Sequence, residues 1–357
     1  MIPRMRHWIT GLDDPIDPRP LVTLRLAIGP LVLLHLMPFL DRATHGIIYR
    51  DRFWLPYADW YPHLPRGAYV ALLWIAVAAG FFVSLGLITR VAAWVCTAAV
   101  AYNLFLSQTH FHHNRAFLLI LLVGVAVLPV GASISADRLI GTPVRLSRGR
   151  GRWLALTVLR FEIALVYLAS GVSKLLDADW WGGTVTRLRV IAGFDRVPDA
   201  FAGVLTDPAF HAWAAKVIVV TEIFIGVGLL WRRTRLAAVW VAIPFHLAIE
   251  ATAAVQVFSW AALVALVVWV TPTSAERHLQ VPHRRQARLV RALDWCGRFR
   301  VTIGARVELE DRHGLVRHGR DAARFTATRL PLTFWVVAPL MLGRGAYPSA
   351  DTEKGPP

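Results

Sequence analysis

"YLASGVSKLLDADWWGG" (167–183) finishes a long apolar run on a lysine and then delivers two aspartates, two tryptophans and two glycines almost at once. The run that precedes it, residues 153–174, has the roughly 20 mainly apolar residues that a helix needs to cross a bilayer core. That reading decides the fold. Lys174 then either reaches for water at the interface or stands as a base at the mouth of a pocket. Working outward, seven further runs have the same character: 20–40, 67–88, 91–108, 115–133, 211–231, 234–252 and 255–271. The fold class expected is an all-α polytopic membrane protein, a bundle of about eight transmembrane helices with a small C-terminal module.

Composition agrees. Of 357 residues, 56% are hydrophobic and 17% charged, with a mean hydropathy of +0.48, whereas soluble domains carry about 25% charged residues. Fifteen tryptophans suit two interfacial aromatic belts. The net charge of +16 comes from arginines between apolar runs and in the tail, which points to anionic lipid heads rather than nucleic acid. Cys96 and Cys296 lie in an apolar run and in the tail, so no disulfide framework is expected. The opening "MIPRMRHWITGLDDPIDPRP" lacks the apolar core of a signal peptide, and the first spanning helix is expected to direct insertion.

Arginine placement sets orientation. Loops 89–90, 134–152 and 232–235 share one side with both termini and hold Arg90, Arg138, Arg145, Arg148, Arg150, Arg152, Arg232, Arg233 and Arg235. Loop 41–66 on the other side offsets its arginines with Asp41, Asp51 and Asp59. The expected location is the cell membrane, multi-pass, with both termini cytoplasmic and loops 41–66, 109–114 and 175–210 outside. Beyond Pro272 the chain turns arginine-rich, with one short apolar stretch, "LTFWVVAPLML" (332–342), too short to span. The domains read as 15–275 (membrane), 276–345 (cytoplasmic module) and 346–357 (disordered end).

Ionisable groups inside spanning helices are costly and face a bundle interior or cavity. Here they are Arg25, His35, Arg160, Glu162, Glu222, His246 and Glu250. Arg160 and Glu162 are two apart on one helix, so each needs a partner elsewhere. Arg25, Arg160 and Glu162 read equally well as structural charges fixing the packing. Tyr167, Ser170, Gly171 and Lys174 share one helical face. The loop "SQTHFHHNR" (107–115) adds His110, His112, His113 and Asn114 at the same outer level. Without a cysteine or carboxylate nearby, these histidines read as a hydrogen-bonded cluster, and no metal is expected. His246 follows Pro244 and reads either as a catalytic group or as a partner for a carbonyl freed by the kink. Asp177 and Asp179 read as helix caps or as partners of Arg187 and Arg189.

The quoted segment resembles the signature of the vitamin K-dependent gamma-carboxylase family, a Tyr, a Gly-x-x-Lys and an Asp-Ala-Asp-Trp in order. Its bacterial relatives are the HTTM (horizontally transferred transmembrane) domain proteins. "DPRPLVTLRLAIG" (17–29), Arg160 upstream of Tyr167, and "FHLAIEATAAVQVFSW" (245–260) extend the likeness over about residues 15–275. The resemblance implies that Lys174 is a base that deprotonates a reduced naphthoquinone of the vitamin K type, the implied cofactor. A neutral buried amine can accept a phenolic proton. It also implies supporting roles for Asp177, Asp179 and His113, and ligand contacts from Tyr167, Gly171, Trp180, Asn114 and His246. Two departures stand out: Leu176 is inserted before the aspartates, and the family's catalytic histidine position falls on Asn114, with His113 one place before. Glutamate carboxylation is not expected, because the sequence has no counterpart of the family's large extracytoplasmic domain.

The tail resembles the later part of the DCC-type thiol oxidoreductase module. The Cys-x-x-Cys of that family falls on Gln280 and His283 in "HLQVPHRRQ", so no disulfide exchange can run there. The expectation is a degenerate thioredoxin-like remnant that docks or stabilises. Two functions stay open: a quinol-using membrane oxidoreductase, and a non-catalytic scaffold or partner subunit of a membrane protein.

Overall fold

Each of the eight apolar runs contains helix among the residues described. In the computed structural model, which describes residues 21–48, 55–131, 134–141, 152–192, 199–231, 234–252, 257–269, 277–294, 299–310, 314–330 and 333, the long helices are α1 (Leu21–Thr44), α2 (Arg66–Leu85), α3 (Thr89–Phe105), α4 (His113–Val127) and α5 (Arg152–Leu176). Two short helices, α6 (Ala178–Trp181) and α7 (Thr184–Ala192), precede α8 (Pro208–Leu230), α9 (Arg235–Thr252) and α10 (Phe258–Ala265). Among the described residues four helices, Leu21–Thr44, Arg66–Leu85, Leu154–Leu176 and Pro208–Leu230, are long and apolar enough to cross a membrane; His113–Val127, Ala237–Thr252 and Phe258–Trp269 are apolar but shorter.

Helix α8 shows why its sequence places a carboxylate indoors. Trp213, Val217, Val220, Phe224 and Val227 form an exposed apolar stripe, while Ala215, Val219, Glu222, Gly226 and Leu229 are buried. The exposed stripe is what a lipid-facing helix presents, and Glu222 falls on the opposite face by period alone. Helix α5 repeats the pattern, exposing Leu154, Val158, Phe161, Leu165 and Val172 while burying Leu156, Leu159, Arg160, Ile163, Ala164 and Tyr167.

Small residues let helices meet. A Cβ on Gly226 would stand 2.6 Å from Leu168 Cγ, and one on Gly171 would stand 2.7 Å from Ile223 Cγ1 and 3.2 Å from the Ile223 amide nitrogen. Helices α5 and α8 therefore run at backbone contact distance, as small-residue interfaces allow in a membrane. Helices α1 and α2 do the same at Gly29, whose amide donates to Ser84 Oγ at 2.8 Å.

The internal cations are met by backbone oxygens. Arg25, 2% exposed, donates to the Val130 carbonyl at 3.3 Å and the Ile134 carbonyl at 2.5 Å. Arg160 donates to the Val268 carbonyl at 2.8 and 2.6 Å. These contacts tie α1 to the segment after α4, and α5 to the end of the helical segment Phe258–Trp269. Glu162 is half-buried and has no hydrogen bond or ion pair among the described residues. Gly86, at φ +74°, closes α2, and a Cβ there would lie 2.7 Å from the Arg25 guanidinium. Asp137 then caps α3, accepting from Ile88 N, Thr89 N and Thr89 Oγ1 at 2.7, 3.1 and 3.0 Å.

The C-terminal residues form a separate small α/β unit. Strand β1 (Arg277–Val281) pairs in parallel with β2 (Phe299–Ile303) through α11 (Arg284–Leu293). It pairs antiparallel with β3 (Glu308–Glu310), which carries β4 (Val316–His318), and α12 (Gly319–Ala327) follows. The sheet order is β2-β1-β3-β4. Leu279, Val281, Ala287, Phe299, Val301, Leu309, Ala322 and Leu330 make its core. Gln280 lies in β1 and His283 is the residue before α11. The stretch 332–342, apart from Thr333, and the end 346–357 lie outside the described residues.

Candidate functional site

Close packing of α5 on α8 brings Lys174 to Glu222. The ammonium nitrogen stands 2.5 and 2.6 Å from the two carboxylate oxygens and donates at 2.8 Å to Ser170 Oγ. The Ser170 hydroxyl in turn donates to Glu222 Oε1 at 3.3 Å. Lysine has three N–H donors, and all three have acceptors here. The side chains are 14% and 6% exposed, so this is a buried ion pair and not a snorkelling cation.

One turn before Ser170 on the same face, Tyr167 is 3% exposed, and its hydroxyl is 2.6 Å from His246 Nε2 on α9. The partner of His246 is thus a phenol on another helix rather than a carbonyl at the Pro244 kink, one of the two readings open for it. His246 Nδ1 is buried without a partner. Phe245 and Phe258 pack their rings on His246, at centroid distances of 5.3 and 5.5 Å, and Phe117 of α4 packs on Phe258. The result is a polar line of Lys174, Glu222, Ser170, Tyr167 and His246 against an aromatic wall.

The glycine-tryptophan segment closes over the Lys174 end of this line. Asp177 caps α6, accepting from the Asp179 and Trp180 amides at 2.9 and 3.3 Å. The cap sets Trp180 under two cations, with Lys174 Nζ 4.8 Å and Arg189 Cζ 5.0 Å from its ring centroid. Gly183, at φ +85°, admits no side chain, since a Cβ would sit 2.5 Å from the His211 backbone. That contact ties the turn to the first turn of α8. Burial pushes the Arg189 guanidinium below its ordinary value, with Glu222 opposing. Asp179 is exposed.

The loop 107–115 divides its histidines among separate jobs. His110 is buried and shares a 3.0 Å bond with the Asn103 carbonyl. His112 caps α4, its Nδ1 accepting from the Asn114 amide at 3.2 Å. His113 begins α4 with an exposed ring against Phe111 and His112, and Asn114 is half-buried. Burial, then Arg115, His113 and Arg189, hold the His112 imidazole below its ordinary value, so the field of α7 reaches this loop. Among the described residues no three metal-ligating side chains gather.

Of the residues singled out in the sequence, Lys174, Gly171, Trp180, Tyr167 and His246 are thus brought together. Asp177 serves the turn, which Asp179 enters through its amide, while the contacts described for His113 and Asn114 are with neighbours in their own loop. Glu222 is what sequence reasoning missed as a partner. It was visible as an intramembrane carboxylate one turn from Gly226, but nothing in one sequence pairs α5 with α8. A family model described as the HTTM domain matches residues 14–273. No curated protein and no solved structure matches the chain.

Proposed function

Because this chain belongs to the HTTM domain family and is a membrane protein, we propose that its membrane domain is a carboxylase-like oxidoreductase of the epoxidase type. It would oxidise a reduced naphthoquinone, without carboxylating glutamate. The observation that supports this reading is the buried Lys174–Glu222–Ser170 cluster beside an aromatic wall. A flat aromatic diol needs an acceptor for its phenolic proton and rings to lie against, and the unpartnered His246 Nδ1 offers one further polar contact. When bound, the quinol would supply two protons and four electrons to molecular oxygen as co-reactant, one oxygen atom entering the epoxide and the other leaving as water.

The chain's own part is proton handling. Glu222 takes the ammonium proton of Lys174 across the short bond, and the neutral amine accepts the phenolic proton. Ser170 holds the amine in line. Tyr167 and His246 would bound the quinol at one end of the polar line, and Trp180, set by the Asp177 cap, at the other. Asp179, His113 and Asn114 border the outer approach. We read eight spans, with the arginine-rich loops and both termini cytoplasmic and the site towards the outer face. The C-terminal unit, read as a thioredoxin-like remnant without its dithiol, takes no part in the redox step.

One observation favours a second reading, a scaffold or partner subunit. Every donor of Lys174 is already satisfied within the bundle, which a purely structural pair would also show. Native mass spectrometry of gently extracted protein, combined with oxygen uptake on reduced menaquinone, separates the two. The enzyme reading expects a retained naphthoquinone and uptake above empty micelles, and the absence of both leaves the scaffold.

A further inference from the structure

A second polar group lies among α1 to α4 and has no part in the Lys174 site. Phe39 is its hub. The His35 and His110 rings lie 5.8 and 4.9 Å from the Phe39 ring centroid, and the Arg115 guanidinium carbon lies 4.6 Å over it. Arg115 donates to the His110 carbonyl at 2.7 Å. His110 is bonded to the Asn103 carbonyl, and the Tyr69 hydroxyl donates to Asn103 Oδ1 at 2.5 Å.

What this cluster leaves unmade defines a ligand. Asn103 is fully buried and His35 is 3% exposed. Yet His35 Nδ1 and Nε2, Asn103 Nδ2 and Arg115 Nε are all buried without a hydrogen-bond partner. Buried polar atoms are nearly always paired, and these four belong to one contiguous network. Asn103 Nδ2 and Arg115 Nε can only donate, and a neutral His35 donates through one ring nitrogen. Burial holds the His110 imidazole below its ordinary value against its bond to Asn103, and Arg115, Arg42 and His63 lower it further. Arg115 itself has no acidic partner among the described residues, and Asp41 is turned to His45.

We propose that this group is a binding site for a small oxyanion of carboxylate size, its oxygens accepting from Asn103 Nδ2, Arg115 Nε and His35. A buried water would satisfy two to four such atoms but would leave the charge of Arg115 uncompensated. The site is independent of the Lys174 reading, because none of its residues touches Lys174 or Glu222 in the contacts described.

The test uses the full-length chain in detergent, melted under tryptophan fluorescence in sodium acetate or sodium chloride at equal ionic strength. Acetate should raise the melting midpoint of the wild type saturably, since a ligand bound only by the folded state stabilises it. Lys174→Met should keep that response. His35→Leu should lose it. Asn103→Asp, which brings its own carboxylate into the site, should lose it too and melt higher without acetate. A wild type with no acetate-specific response overturns the proposal and leaves buried water as the occupant. Retention of the response in both His35→Leu and Asn103→Asp overturns it as well. If one of these two variants does not fold, the other decides.

Discussion

Removing one partner of the Lys174–Glu222 pair should be far more damaging than removing both. The two side chains are 14% and 6% exposed, so Lys174→Met strands a buried carboxylate and Glu222→Leu strands a buried ammonium. Either change alone is expected to cost about 3–5 kcal/mol. The double variant replaces two opposed charges by apolar groups of similar length, which in other buried pairs is about neutral or stabilising. The coupling energy should therefore reach about 3 kcal/mol or more, roughly two decades in the unfolding equilibrium. That is well above the ~0.6 kcal/mol average of interhelical hydrogen bonds in membranes, so the size of the coupling separates a desolvated ion pair from an ordinary polar contact. The assay is SDS titration in mixed micelles followed by tryptophan fluorescence, on the wild type, both single variants and the double variant. Single costs that simply add would refute the reasoning, because they would mean that the charges do not meet in the folded bundle.

Gly171→Val tests the approach that makes the pair possible. Its Cβ alone would stand 2.7 Å from Ile223 Cγ1, so α5 and α8 must part at a cost of about 1–3 kcal/mol, and the Lys174–Glu222 coupling should shrink with it; an unchanged coupling would disprove the packing argument. Asp177→Asn should keep the α6 cap while Asp177→Ala loses about 1 kcal/mol, read by the same titration; equal loss in both would show that the charge, not the cap, matters. In a cysteine-free background, cysteines at Gln108 and Ala200, both exposed, should react with an impermeant maleimide on intact cells while one at Arg138 should not. Labelling at Arg138 would reverse the proposed orientation.

The helices were legible because a bilayer demands length and apolarity, and both are local properties of sequence. Burial of Glu222 was legible too, since Val217, Val220, Phe224 and Val227 claim the lipid face and leave it the other. The partner of Lys174 was not legible. It depends on Gly171 and Gly226 bringing two helices together, and residue types at 171 and 226 do not say which helix they face. The acceptors that Arg25 and Arg160 find at Val130, Ile134 and Val268 were not legible either, because they are backbone carbonyls, which no residue type advertises. The histidine-rich loop looked like one cluster because its residues are adjacent in sequence. Turn geometry then sends His110 inward, makes His112 a cap and leaves His113 exposed.

The central claim is that Lys174 removes a phenolic proton as a neutral amine. The most direct measurement is oxygen-dependent oxidation of reduced menaquinone by the purified chain, comparing wild type with Lys174→Arg. Arginine keeps the positive charge beside Glu222 but cannot give up its proton. General-base work is worth about 10²–10⁴-fold, so the rate should fall by at least about a hundredfold while the variant inserts and melts near wild type. A Lys174→Arg protein that oxidises the quinol at the wild-type rate would contradict the claim.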